Sequence, residues 1–344
     1  MAFMSANSYL GLALESAKGT AASGTFTYIP VSAPQVTPVL AWLRDEALRG
    51  SPVALYDQIP GVRHDEVDFK TYMYADSFPL LLISVLGPDV VTGSTIYSHT
   101  VALQNSASTG SQPASVTINS FDGGNAFQIS GAQAQSLDVT FGADKAVEAT
   151  IKYLGQPWTT PTPSNAPGAE ALIPGWNTAI TIGSTNQGGG TSPTANWTNI
   201  MDGNIKIDRK TAPIFTAGTQ GPHTTFAGPC DVSGAFTVVV EASDPFSIGG
   251  SPYLNAIALS RNSSSIPMTL TFTDPADITS ATNHSVKYQM SDVQFHDVKR
   301  SVGKDYVELT VSFDAQANTT DAVNGGYSPV KAIVKNATSS YVAS

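Results

Sequence analysis

Apolar and polar residues alternate along much of this chain. Ala114-Ser115-Val116-Thr117-Ile118 and Val307-Glu308-Leu309-Thr310-Val311 make every second side chain apolar. Successive side chains of an extended strand point to opposite faces, so a period of two predicts strands with one face buried and one wet. Turn signals divide these segments at Asp122-Gly123-Gly124, Gly142-Ala143-Asp144 and Asn324-Gly325-Gly326. One stretch breaks the pattern. Residues 80–86 are almost wholly apolar, follow Asp76-Ser77-Phe78-Pro79 and stop at Gly87. Ser77 suits an N-cap, Pro79 the first turn and Gly87 the stop, so a short helix is expected.

Residues 156–174 are rich in Pro, Thr, Ser and Ala and read as an extended connector. Residues 184–198 read as a Gly/Ser/Thr/Asn loop. On either side of the connector the chain repeats itself. Ala146-Val147-Glu148-Ala149-Thr150-Ile151 returns as Tyr306-Val307-Glu308-Leu309-Thr310-Val311, an offset of 160. Phe127-Gln128-Ile129-Ser130 returns as Tyr288-Gln289-Met290-Ser291, an offset of 161. Residues 68–74 with Asp76-Ser77-Phe78 parallel residues 236–240 with Asp244-Pro245-Phe246. A helical candidate follows each, residues 80–86 and residues 253–259. Next come strands at residues 97–103 and 266–272. A repeat this long is a domain, not a solenoid unit. The expected fold is mainly β, with two related sandwich or barrel-forming domains, each with a short flanking helix. The boundaries are 1–160 with an N-terminal arm, a linker and loop over 161–195, and 196–344 with a C-terminal arm.

Charged residues are only 13% of the chain and the net charge is −10. Gripping phosphates takes clustered Lys and Arg, so specific nucleic-acid binding is not expected. Acidic walls could still surround DNA and let it slide. The single cysteine, Cys230, admits no intrachain disulfide, and its place in Gly228-Pro229-Cys230-Asp231 before a strand reads as structural. Residues 1–20 lack a basic and an apolar region, so no secretory signal is expected. No apolar run approaches the ~18 residues of a membrane span.

Catalytic patterns are missing. The five histidines stand apart from metal-ligand spacing, and there is no nucleophile elbow, P-loop or dinucleotide fingerprint. His64-Asp65-Glu66-Val67-Asp68 is the densest titratable cluster, but alternation splits Glu66 and Asp68 from Asp65 and Val67. Neighbouring His296 and Asp297 face opposite ways on a strand. Asp274-Pro275-Ala276-Asp277 reads as a turn. No catalytic, cofactor-binding or metal site is predicted.

The opening Tyr9-Leu10-Gly11-Leu12-Ala13-Leu14-Glu15-Ser16-Ala17-Lys18-Gly19-Thr20-Ala21 resembles the start of siphophage major tail tube proteins. The strand Phe26-Thr27-Tyr28-Ile29-Pro30 and, farther on, the segment Arg44-Asp45-Glu46-Ala47-Leu48-Arg49-Gly50-Ser51 and the strand Tyr97-Ser98-His99-Thr100 also resemble segments of that family. That resemblance implies a structural virion protein whose strands join across subunits around a pore, with rings stacked into a tail tube for DNA ejection. Two domains per chain would let three chains make a pseudo-hexameric ring; a true hexamer is the alternative. Implied partners are further copies of the chain, the tail terminator, tape measure and baseplate proteins, and DNA passing without specific binding. No membrane is involved, and assembly would take place in the host cytoplasm. Contacts between subunits are expected at Arg44, Asp45, Glu46, Arg49, Tyr56, Asp208, Arg209 and Lys210. The termini, at residues 1–20 and 325–344, are further candidates. A second reading is a receptor- or carbohydrate-binding β-sandwich of a virion tip.

Overall fold

The computed structural model describes residues 4–106, 110–162, 168, 170, 172–183, 193–197, 199–240, 260, 265–279, 282–303 and 305–341. The first half supplies β1 (Tyr9–Leu14), β2 (Thr27–Ile29), β3 (Ser32–Asp45), β4 (Asp57–Tyr72), α1 (Phe78–Val85), β5 (Asp89–Gly93), β6 (Tyr97–Ala102), β7 (Val116–Phe121), β8 (Ala126–Gly142) and β9 (Glu148–Gly155). The second supplies β10 (Thr178–Gly183), β11 (Pro193–Trp197), β12 (Ile200–Asp208), β13 (Ala212–Ile214), β14 (Thr224–Phe226), β15 (Asp231–Val239), β16 (Ile266–Thr279), β17 (Thr282–Val302), β18 (Val307–Ala315) and β19 (Lys331–Asn336).

All named pairings are antiparallel. One run of neighbours is β3, β4, β9, β8, β12, β15, β18, β17. Its two inner members, β8 and β12, come from different halves. The long strands β8 and β17 each serve two groups of neighbours. The first part of β8 pairs with β7, which continues to β1 and β2. The first part of β17 pairs with β16, which continues to β10 and β11. In β8 the change of partner falls at Gly131, whose φ of +61° suits glycine.

The registers of the two halves coincide. Phe69 pairs with Ile151 and Phe236 with Val311. Leu137 pairs with Ile151 and Val298 with Val311. The β8–β9 ladder is irregular between Ala134 and Ser136, and the β17–β18 ladder between Phe295 and Asp297. The β7–β8 ladder slips between Val116 and Ile118, and the β16–β17 ladder between Ile266 and Met268. A bulge adds an unpaired residue and bends the strand, so its position is a specific feature of a fold.

Several expectations are corrected. Strand β16 occupies the place of β7, not that of residues 97–103; those form β6, between β5 and β19. Residues 274–277 are no turn: they lie within β16 as a register irregularity between Thr273 and Asp277. Part of the expected 184–198 loop is strand β11, which runs across residue 196, and β10 lies within the expected linker. Strands lie close to both ends of the described residues. Leu10 and Leu12 are fully buried in β1, and β19 lies between β17 and β6. The connector is pinned to the first half, where Thr159 bridges Gln128 and the Trp158 N–H donates to Asp65. The helix expected over residues 253–259 lies outside the described residues.

Helix α1 forms where the apolar run predicts it, with Pro79 in its first turn and Leu86 as C-cap. Ser77 holds the N-cap position without a side-chain cap bond. Every residue of α1 is buried, which explains the absence of a polar stripe. Its lone polar side chain, Ser84, hydrogen-bonds Leu81 O and the Tyr153 hydroxyl.

Two motifs of the opening resemblance turn out to be buried polar knots. Glu15 accepts hydrogen bonds from Gly19 N (2.8 Å), Ser115 Oγ (2.7 Å), Thr117 Oγ1 (2.8 Å) and Gly131 N (2.7 Å). It thereby ties the turn after β1 to β7 and to the bend of β8. His99, on β6, sits with Nδ1 2.5 Å from Asp89 Oδ2 and Nε2 2.8 Å from Thr338 O. Burial alone would lower the His99 pKa, but Asp89, Thr338 and Asn336 together raise it above 6.5. A raised folded-state pKa contributes stability that is complete below about pH 6.5 and is lost as pH rises through the folded value. Urea unfolding across pH 5.5–8.5 (about the range histidine spans) should therefore show stability falling with pH. His99→Gln should flatten that slope, and an unchanged slope would refute the assignment.

Candidate assembly surfaces

The eight-strand run presents two unlike faces. Val67, Phe69, Leu137, Val139, Ile151, Ile205, Phe236 and Val311 are buried on one side. Alternation sends their neighbours to the other. There Glu66, Asp68, Asp138, Glu148, Asp202 and Glu308 outnumber Lys70, Lys152, Lys206 and Lys299. The expected split of the His64–Asp68 cluster is borne out. Asp65 is 2% exposed and faces inward, where burial raises its pKa against the Trp158 N–H, while Glu66 and Asp68 face the polar side.

Strand β4 pairs with both β3 and β9 over residues 65–70, but over 57–64 its strand partner is β3. That part is a two-stranded ribbon extending past the sheet. Its base is braced by the Arg63 N–H to Gln220 O and by Gln220 Nε2 to Gly61 O. Large apolar side chains are exposed along it: Trp42 51%, Leu43 58% and Ile59 55%. Five of the expected contact residues gather at its tip. Arg44 pairs with Glu46 at 3.3 Å, Arg49 pairs with Asp45, and the Arg49 guanidinium lies 4.9 Å from the Tyr56 ring centroid. A two-stranded ribbon is marginal alone, and contiguous exposed apolar residues mark a contact surface.

The other three expected residues end β12. Asp208 Oδ1 accepts from the Lys210 N–H, and Lys210, with φ +45°, reaches Asp231. Arg209 points the other way. It is 2% exposed, and burial lowers its pKa against the nearby Cys230. Cys230 is itself pushed up to about 11 by burial, which suits a structural thiol rather than a nucleophile.

The junction of β8 with β12 was not anticipated. Asp138 stands opposite Lys206 there, flanked by Leu137 with Ile207 and Val139 with Ile205. Pairing across nearly 70 residues leaves no local mark. The one available signal was the 17-residue length of β8, more than a single set of neighbours needs.

Among the described residues, no helix is long and apolar enough to cross a membrane, and no cluster of His, Cys, Asp and Glu could hold a metal ion. Compared with known proteins, residues 5–337 match the family described as phage tail tube protein. Among solved structures, the chain is similar to the SPP1 tail tube at 15% identity, with a TM-score of 0.30, over 49% of this chain and 81% of that one. No curated protein matches.

Proposed function

Since the chain belongs to the phage tail tube protein family and is a structural component of the virion, we propose that three copies close one ring of the tube. Each chain contributes two tube domains. The observation that carries this is the repeated register: the same pairings and the same two bulges recur about 160 residues apart. The unit boundary supported by strand pairing lies near residue 175, before β10.

The eight-strand run forms one third of the ring wall, and its polar face lines the channel. Excess carboxylate there repels DNA phosphates and lets the duplex pass without specific binding. Rings stack head to tail, which is a heterologous contact and so builds an open filament. The β3–β4 ribbon carries that contact through Trp42, Leu43 and Ile59, with Arg44, Asp45, Glu46, Arg49 and Tyr56 shaping its tip. Asp208 and Lys210 contribute at the far end of β12. The ends of the tube meet the tail terminator and baseplate proteins, the tape measure protein occupies the channel before DNA does, and assembly takes place in the host cytoplasm.

Negative-stain microscopy of the purified protein tests the reading. Rings or tubes of uniform width with a central hole and threefold mass per ring are expected. Particles that stay single at every concentration and salt would sink it.

A further inference from the structure

The strap that follows β19, residues 337–341, closes over a buried histidine. His99 and Asn336 are both 0% exposed. Nδ1 of His99 lies 2.5 Å from Asp89 Oδ2, and Nε2 lies 2.8 Å from Thr338 O and 3.1 Å from Asn336 Oδ1. A carboxylate and a carbonyl can only accept. The Asn336 amide is fixed by its other partners: Nδ2 donates to Ala75 O at 2.8 Å, and Oδ1 accepts from the Thr338 N–H at 3.0 Å. Turning it over would set carbonyl against carbonyl. The ring therefore meets acceptors at both nitrogens, and each nitrogen needs a hydrogen. Imidazolium is the form that carries both.

We propose that the hydrogen on Nε2 of His99 is a latch: while present it holds the strap 337–341 against the fold, and its loss releases the strap. The device acts within one chain, whatever ring that chain enters.

Nε2 gives up its proton first, because Nδ1 keeps a charge-assisted bond to Asp89. The bare nitrogen then turns a lone pair toward Thr338 O and Asn336 Oδ1, and the strap carbonyl is left buried without a donor. The remaining ties are few. The Ala337 N–H and Thr338 Oγ1 reach Asp76 Oδ1 at 3.4 Å each. The Tyr341 hydroxyl donates to Asp76 O, and its ring meets His99 edge-on at 5.1 Å between centroids. Asp76 precedes α1 in the first half, whereas the strap continues the last strand of the second. The latch therefore closes a joint between the halves.

Other titratable groups surround the site. Asp89 stands on β5, Asp76 before α1, Asp274 on β16 and Glu170 in the connector; His284 of β17 lies 3.8 Å from both Asp76 and Asp274. The carboxylates favour a charged ring at His99, and a protonated His284 opposes it. Burial raises the pKa of Glu170, and it raises that of Tyr341 further above the ordinary phenol value, so the phenol keeps its proton throughout. Burial lowers the His99 pKa, and Asp89 with Thr338 and Asn336 more than offset it. A raised value means a latch shut below about pH 6.5 that opens as pH rises through the folded-state pKa.

A nitroxide on Ser340→Cys, in full-length chain carrying Cys230→Ser, reads the strap directly; Ser340 is exposed. Its spectrum should be immobile at about pH 6 and pass in one step to a mobile form by about pH 10. Asp89→Asn removes the facing anion and should lower the midpoint of that step by about 1–3 pH units. His99→Gln offers donors at one end alone and should leave the strap mobile at every pH, with no step. His284→Gln should keep the step. A label immobile throughout in the parent would overturn the latch, as would a step that persists in His99→Gln or vanishes in His284→Gln. Should His99→Gln fail to fold, the Asp89→Asn midpoint decides: an unmoved midpoint overturns the latch.

Discussion

Glu15→Ala is expected to destabilise the protein by roughly 3–4 kcal/mol, because it strips acceptors from donors that are already out of water. The carboxylate is 6% exposed and satisfies two backbone N–H groups and two hydroxyls. Each buried donor left unmade costs about 1–3 kcal/mol, less what water recovers by entering the gap. Lys18 adds to the cost: burial lowers its pKa, and the nearby Glu15 opposes that. Glu15→Gln should cost about half as much, since the amide keeps one acceptor and turns a donor toward donors. Urea unfolding midpoints measure both. An alanine variant within 1 kcal/mol of the parent (about the net worth of one hydrogen bond) would show that the knot is incidental.

Phe69→Ala and Phe236→Ala are expected to cost roughly 3–5 kcal/mol each, the usual range for truncating a buried aromatic. Both are 1% exposed and hold matching places in the eight-strand run. Phe69 stacks on Tyr153 with ring centroids 6.2 Å apart. Phe236 meets Phe295 at 6.1 Å and Phe313 at 6.2 Å. The halves share sheet pairings through β8–β12 and β6–β19 and one buried cluster. Damage to the second half should therefore be felt in the first. In Phe236→Ala, the fluorescence of Trp158, packed edge-on to Phe127 at 5.2 Å, should shift its unfolding midpoint together with far-ultraviolet circular dichroism. Separate transitions would show that the halves unfold independently.

Strands were legible wherever burial is one-sided. Residues 307–311 and 148–151 alternate because one face meets the core and the other does not, so their period survives in the sequence. Helix α1 was legible by the opposite sign, an unbroken apolar run with punctuation at both ends. What alternation cannot carry is the choice of neighbour. It marked residues 266–272 as a strand but could not distinguish the place of β6 from that of β7, since both are short, half-buried and antiparallel. Residues 193–197 read as loop because Pro and Asn are depleted in strands, and pairing with β10 overrides that preference. Among the expected contact residues, Arg209 is the one whose burial its charge conceals. A basic residue between Asp208 and Lys210 looks exposed, yet its position in the alternation is that of Ile205 and Ile207, which face the core.

The β8–β12 seam also changes what assembly has to accomplish. Six separate domains would each surrender translational and rotational freedom on joining a ring, at an estimated 4–15 kcal/mol per association. Tethering domains in pairs makes every second encounter intramolecular, at an effective concentration set by the connector rather than by the cell. In a ring of three chains, half the seams are complete before two molecules meet. Closure becomes a three-body event, and an incomplete ring has fewer ways to come apart.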